Sequence, residues 1–200
     1  MLKLFFGIIV YLFLCSKSYG LDELVRLDEL ASMPGPDHRN IGWEWHYIDQ
    51  KGEPGFMRKV AGTATTASYT RSDGCEWSRP IKGFAPASVW SNCPSAGKSI
   101  VEFISGDIWP VKIGNKFNYS IQGTSSLFGS AWGSERECEV KYSVRVKTVS
   151  GEYDTHKLVC EERWGTRSWW LAPSVGTAVA YQQKTFQGKL ILQEMTRIKY

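Results

Sequence analysis

The stretch from Glu137 to Lys147 alternates strictly between apolar and polar side chains. One face carries Cys138, Val140, Tyr142, Val144 and Val146, and the other carries Glu137, Glu139, Lys141, Ser143, Arg145 and Lys147. A period of two is typical of an antiparallel strand with one buried and one solvated face. Val149-Ser150-Gly151 follows, with the glycine suited to a left-handed loop position. The sequence therefore predicts a β-hairpin.

The hairpin carries two cysteines whose register depends on its loop. A three-residue loop pairs Thr148 with Glu152, which places Cys138 opposite Glu162 and only diagonal to Cys160. A bulge would bring the cysteines into register, and they already share a face. We therefore expect Cys138 and Cys160 to join neighbouring strands on the inward face.

Two further cysteines, Cys75 and Cys93, form a second close pair. Three pairings of the four cysteines are formally possible, and Cys75–Cys93 with Cys138–Cys160 closes the shortest loops. Each such disulfide stabilises by roughly 3 kcal/mol in the chain-entropy model. The spacing contains no C-x-x-C and no zinc-finger pattern, so metal ligation is not expected.

Residues 1–20 have the anatomy of a signal peptide, with a basic start, an apolar run from Phe5 to Cys15 and small residues before Leu21. The apolar run is about half the ~20 residues that a membrane-spanning helix needs. An uncleaved anchor and a lipoprotein acylated on Cys15 are the alternatives. Cleavage leaves a single disulfide-stapled β domain over 21–200, in the periplasm or outside the cell, where disulfides persist.

The charge pattern argues against one class of partner. Loss of Lys3 and Lys17 with the leader lowers the formal charge from +4 to +2, and no basic stripe occurs. A nucleic-acid partner is therefore not expected, and membrane contact is at most peripheral.

The remaining chain is predicted to be all-β and mainly antiparallel. Asp22 to Ser32 shows weak helical spacing and is interpreted as one short N-terminal helix that Pro34-Gly35-Pro36 ends. Strands with turn signals follow, which favours a curved sheet, an open barrel or a sandwich. The predicted strands include 43–47, 100–104, 116–121, 167–171, 177–183 and 189–198.

Catalytic motifs are weak. The segment 92–99 resembles a phosphate-binding loop but lacks its first glycine and a following helix. His46 with Glu44, and His156 with Asp154, lie on strand faces where a carboxylate beside a histidine can orient a base. A solvated face explains both pairs more simply. No catalytic residue, cofactor or metal site is predicted.

Tryptophan is the most distinctive component, with nine in the chain. Trp43, Trp45, Trp169 and Trp170 form the densest groups and are the predicted ligand-binding residues. Trp169 and Trp170 are adjacent in a strand and must face opposite sides. One of them therefore points away from one buried face, towards solvent, a cavity or a partner.

The second half also resembles a known type of domain. Ile108-Trp109-Pro110-Val111, the run 113–119, the run 151–159 and the aromatic-proline-glycine turn at 169–176 resemble a β domain of uncharacterised bacterial envelope proteins. The resemblance covers about residues 107–198. It implies an open, curved sheet of the lipoprotein-carrier type and an envelope location, and it brings no catalytic residue.

Three functions follow as expectations. The first is an exported, non-enzymatic envelope protein whose aromatic sheet binds a hydrophobic, lipid-like ligand or docks an envelope protein. The second is a carbohydrate- or peptidoglycan-binding module that stacks exposed tryptophans on sugars. The third is a hydrolase that uses His46 or His156.

Overall fold

The computed structural model describes residues 21–35, 40–82, 84–127, 129 and 131–200, so the predicted leader lies outside the described residues. Across the described residues the regular elements are thirteen β-strands. They are β1 Asp22–Leu27, β2 Glu44–Asp49, β3 Pro54–Gly62, β4 Thr66–Arg71, β5 Glu76–Pro80, β6 Val89–Ser91, β7 Gly97–Gly106, β8 Lys116–Ser125, β9 Ala131–Thr148, β10 Gly151–Glu162, β11 Gly165–Ala172, β12 Thr177–Thr185 and β13 Leu190–Lys199.

Strands β2 to β13 form a closed twelve-stranded barrel. Each strand pairs antiparallel with the next along the chain, and β13 returns to pair with β2 from Gln193↔Asp49 to Lys199↔Glu44. The prediction of an all-β antiparallel fold is confirmed. The open barrel or sandwich is corrected to a closed barrel, because residue alternation reports buried faces but not whether the first and last strands meet.

The predicted N-terminal helix is wrong, since Asp22–Leu27 is strand β1. β9 has 18 residues and β8 has 10, so the second half of β9 extends beyond β8 and leaves an edge. β1 pairs with that edge, from Asp22↔Lys147 to Leu27↔Ser143. Pairing with an unsatisfied strand edge outweighs a weak helical pattern. The chain then continues as an extended segment in which Met33 bridges to Val111.

The β9–β10 hairpin confirms the predicted Cys138–Cys160 disulfide. Its loop has two residues instead of the three expected, because Thr148 pairs with Gly151. The predicted bulge is present at Lys141, where the register moves from Tyr142↔Lys157 to Val140↔Leu158. The shorter loop and the bulge together bring the cysteines directly opposite each other.

The bulge also divides β9 into two parts, and each part packs in a different core. Cys138 and Val140 belong to one apolar core, whereas Val144 and Val146 belong to a second one. Ser143, expected on the wet face, is fully buried. The strict alternation of the sequence is therefore broken by the one-residue insertion at Lys141.

The second core forms where the end of the hairpin folds back over the sheet. The Val149 amide donates to Glu194 Oε2 at 3.0 Å, and the Ser150 hydroxyl donates to the Met195 carbonyl at 2.6 Å. Both acceptors lie on β13, which is three strands away from β10. Val144 and Val146 consequently pack in a single cluster with Trp170, Ala180 and Met195.

The first core fills one side of the barrel interior. Phe117, Tyr119, Leu158 and the Cys138–Cys160 disulfide line it. Irregular segments complete it, because Met33 comes from the segment after β1, and Ile108 and Val111 precede β8. A barrel of about eight strands is filled by its own side chains, and a wider one is not. Twelve strands therefore need these inserted segments.

The two disulfides predict different losses of stability. Each closes a loop of similar length in the unfolded chain, so C75A/C93A and C138A/C160A each lose about 3 kcal/mol from chain entropy. Cys138 and Cys160 are 2% and 0% exposed, and alanine there also leaves cavities in the core. We expect the larger fall in the free energy of unfolding for C138A/C160A. Urea denaturation followed by tryptophan fluorescence measures the free energy of unfolding of both variants. Equal losses would contradict the conclusion that Cys138 and Cys160 contribute to core packing beyond their disulfide.

Candidate functional site

The other side of the barrel interior is hollow. It contains a cavity of about 510 Å³ and an adjoining one of about 210 Å³, and we call the two together the lumen. Met57, Arg79, Phe84 and Thr177 line both cavities. The larger volume lies within the ~300–1,000 Å³ typical of small-ligand sites. The lumen is therefore the candidate functional site.

A plug loop, residues 84–87 between β5 and β6, separates the lumen from the first core. The Phe84 ring lies 5.1 Å from the Trp169 ring and 5.7 Å from the Trp109 ring. The Tyr119 hydroxyl donates to the Phe84 carbonyl at 3.3 Å. The plug loop thus binds to β8 and β11 across the interior and forms one wall of the lumen.

Aromatic side chains make most of the remaining wall of the larger cavity. Trp45, Trp77, Trp90, Trp169 and Tyr181 all line it. These side chains come from five strands of the barrel, β2, β5, β6, β11 and β12, and all border the same cavity. The result is a concave aromatic surface, which is suited to apolar ligands.

Local contacts fix the orientation of these rings. The Trp45 indole nitrogen donates to the Ala178 carbonyl at 2.8 Å. Trp77 stacks on Tyr69 with ring centroids 5.5 Å apart. Trp90 lies against Gly97, where a Cβ would collide with its indole ring. The wall is therefore rigid before any ligand arrives.

The four predicted binding residues separate into two groups. Trp43 lines the smaller cavity, and Trp45 and Trp169 line the larger one. Trp170 is 2% exposed, and its indole nitrogen donates to Glu23 Oε1 at 3.0 Å. Lys157 lies 4.7 Å above its ring. Trp169 and Trp170 do face opposite sides, and Trp170 holds β1 against β11 and lines neither cavity.

Three arginines also line the larger cavity: Arg71, Arg79 and Arg167. Arg71 is paired, since its Nε and Nη2 atoms donate to the two Asp73 oxygens at 2.8 and 2.6 Å. The hydrogen bonds from Arg71 lower the pKa of Asp73, and those to Asp73 raise the pKa of Arg71. The charge of Arg71 is therefore balanced.

Arg167 belongs to a buried charged cluster. Its Nε donates to Glu162 Oε1 at 2.9 Å, while Arg136 Nε donates to Glu162 Oε2 at 2.9 Å. Arg136 also donates to the Tyr119 hydroxyl at 2.7 Å. Burial raises the pKa values of Tyr119 and Tyr181, so both phenols stay neutral. One carboxylate thus serves two guanidinium groups, and one positive charge is left unbalanced.

Arg79 has a different environment. Its guanidinium lies 5.0 Å from the Tyr69 ring centroid. Among the described residues it makes no ion pair with a carboxylate. The described lining of both cavities includes no aspartate or glutamate side chain. The lumen is therefore aromatic and electropositive. The predicted residues Trp43, Trp45 and Trp169 lie in its lining, whereas Trp77, Trp90 and the arginines of the lining were not among the predicted residues.

The two histidines considered as bases lie away from the lumen lining. His46 Nε2 lies 2.8 Å from Glu44 Oε2, and hydrogen bonds from Arg58 and then His46 lower the pKa of Glu44. His156 contacts the Ser143 hydroxyl and the Ala31 carbonyl, each at 3.0 Å. Asp154, its expected partner, instead accepts from Arg145 at 2.7 Å.

No helix among the described residues has the length and apolar character to cross a membrane. No group of three or more His, Cys, Asp or Glu side chains in that part of the chain is arranged to hold a metal ion.

Comparisons with known proteins agree with the architecture. No family model and no curated protein matches the sequence. The fold is similar to that of the hypothetical lipoprotein YmcC from Escherichia coli, with a TM-score of 0.52, 7% identity and coverage of 78% of this chain and 83% of that one. A Bacteroides fragilis protein with a YmcC-like fold gives a TM-score of 0.42 at 11% identity, over 85% of this chain and 100% of its own. At such identities the similarity shows the fold alone.

The buried cluster gives a stability prediction. The Arg136 and Glu162 side chains are 2% and 3% exposed, so E162Q leaves two guanidinium groups without a carboxylate. Removing one partner of a buried ion pair costs about 3–5 kcal/mol. D154N is the matched control, because it breaks an exposed pair with Arg145 and costs less than about 1 kcal/mol. Urea unfolding of both variants measures the difference, and a loss below 1 kcal/mol for E162Q would disprove the prediction.

Proposed function

We propose that this protein is an exported, non-enzymatic envelope protein that holds a hydrophobic, lipid-like ligand in its lumen. The observation that carries the proposal is the cavity of about 510 Å³ whose wall is built from Trp45, Trp77, Trp90 and Trp169. Most tryptophans in a β domain pack in a core. Here four of them border open volume, although Trp45 also packs in the second core and Trp169 packs against the first. A ligand would complete this arrangement.

The energetics favour an apolar occupant. Each Å² of apolar surface removed from water contributes about 25 cal/mol, so a ligand that covers these rings gains free energy along its whole contact. The rings are already fixed by the Trp45–Ala178 hydrogen bond and the Trp77–Tyr69 stack. A pre-ordered wall loses little conformational entropy on binding, and this raises affinity.

The location rests on separate arguments. Residues 1–20 have signal-peptide character, and the two disulfides are stable in an oxidising compartment. The similarity in fold to a hypothetical lipoprotein of E. coli supports the same assignment. Together they favour the envelope as the place where the lumen would meet its ligand.

The two alternatives receive less support. A glycan platform needs tryptophans on the outer surface, but Trp43, Trp45 and Trp169 line the interior cavities. A hydrolase needs a histidine beside the substrate, and neither His46 nor His156 belongs to the lumen lining. The aromatic surface of the lumen faces inward, so it does not support a role in docking an envelope protein.

A neutral apolar fluorophore tests the proposal. N-phenyl-1-naphthylamine should bind the purified protein with a blue-shifted emission, and W169A should weaken binding by roughly fivefold to tenfold because part of the apolar contact is lost. W164A is the matched control, because Trp164 is 43% exposed and lies outside the lumen lining.

Thermal melts establish that each variant is folded before titration. Equal probe affinities for W169A and W164A would place the bound probe outside the lumen. The absence of probe binding to the wild-type protein, together with no apolar compound extracted from it and detected by mass spectrometry, would overturn the proposed function.

A further inference from the structure

We infer that the lumen ligand is an anionic amphiphile, with an apolar chain against the tryptophans and a carboxylate or phosphate head bound by Arg79 and Arg167. This inference rests on the proposed function and specifies the chemistry of the ligand. Three observations carry it: the charge state of each lumen arginine, the described lining without carboxylates, and the size of the cavity.

Arg79 supplies the first cationic group. Its guanidinium sits 5.0 Å from the Tyr69 ring and makes no ion pair with a carboxylate among the described residues. It lines both cavities. A cation–π contact attracts the charge of a guanidinium to a ring and does not itself use its N–H donors for hydrogen bonds to a carboxylate. Those donors form a fork that matches a carboxylate or phosphate.

Arg167 supplies the second cationic group of the lumen. It donates through Nε to Glu162, which Arg136 also engages, so the cluster keeps a net positive charge. The Arg167 side chain is 29% exposed and borders the larger cavity, whereas Arg136 is 2% exposed. An unbalanced charge is costly at a partly desolvated position unless an anion meets it. The accessible member of the cluster faces the volume in which a ligand would lie.

Arg71, in the same wall, is an arginine whose charge is already paired with a carboxylate. Asp73 occupies its fork through two hydrogen bonds. Among the described residues, one of the three arginines that border the larger cavity therefore has its own carboxylate, one shares a carboxylate and one has an aromatic ring as its contact. The described lining holds no further acidic side chain, so a ligand with a negatively charged head matches these guanidinium groups.

The apolar part of the ligand follows from the same wall. Trp45, Trp77, Trp90 and Trp169 border the cavity that contains the arginines, so one molecule within about 510 Å³ meets both surfaces. This volume favours a ligand with a single chain. A free inorganic anion would leave the aromatic surface uncovered, and a neutral amphiphile would leave the two guanidinium groups unmatched.

Displacement of N-phenyl-1-naphthylamine from the wild-type protein separates these cases. The competitors are dodecanoate, monododecyl phosphate, dodecanol and inorganic phosphate, used below the critical micelle concentrations of the amphiphiles. We expect the two anionic amphiphiles to compete about 10- to 100-fold more strongly than dodecanol, since a hydrogen bond to a charged group contributes about 1.5–3 kcal/mol. Comparing the two anionic amphiphiles tells a carboxylate head from a phosphate head.

Variants then assign the head to its arginines. R79Q should weaken dodecanoate or dodecyl phosphate by about tenfold or more and leave dodecanol and the neutral probe unchanged. R145Q is the matched control, because it removes the same charge from an arginine that is 44% exposed and lies outside the lumen lining. It should leave the affinity of the anionic amphiphiles unchanged.

The outcomes distinguish the two proposals. If the probe binds but dodecanol competes as well as the anionic amphiphiles, or R79Q and R145Q bind those amphiphiles equally well, the anionic head is refuted while the lipid-like ligand stands. If inorganic phosphate displaces the probe as strongly as the amphiphiles, the site binds a free anion and the amphiphile is refuted. If the probe itself does not bind the wild-type lumen, the underlying function fails.

Discussion

The pairing of β13 with β2 is the interaction on which the rest of the structure depends. It closes twelve strands into a ring, and this removes both exposed sheet edges that an open sheet would present. It also fixes a circumference too large for inward side chains to fill alone. The segments that carry Met33, Phe84 and Val111 fill one side of the barrel interior. The other side of the interior remains open as the lumen. The cavity is therefore a consequence of closing a barrel with twelve strands.

The strands that were predicted correctly from the sequence are those whose inward side chains pack in a filled apolar core. β9, β10 and their disulfide were predictable because Cys138 and Val140 alternate with charged residues and pack against other apolar groups. β3 to β6 were not identified as strands. Their inward residues include Tyr69, Arg71 and Arg79, which face open volume, so no apolar and polar alternation marks them.

The candidate site was predictable to the same limited degree. The dense groups of tryptophan in the sequence pointed to Trp43, Trp45 and Trp169, and the fold places these three in the lumen lining. The lumen charge was not predictable, because the balance at Arg167 depends on Arg136, a distant residue that the fold brings to the same Glu162 carboxylate. The cysteine spacing predicted a bulge in this hairpin, but the position of the bulge at Lys141 was not predictable. It depends on how β9 meets two neighbours at once, and alternation within a single strand does not contain that information.

β6 has only three residues, and it meets β5 through three partner pairs and β7 through two. The other described neighbours in the barrel share five or more pairs each. Local opening costs least where the fewest hydrogen bonds must break, so the seam between β6 and β7 is the least cooperative part of the ring. The Cys75–Cys93 disulfide joins residues close to the ends of β5 and β6, and the Ser99 hydroxyl on β7 donates one hydrogen bond to the Ala87 carbonyl of the plug loop. The barrel therefore fluctuates most at the seam beside its cavity, while the opposite wall carries the stability of the whole.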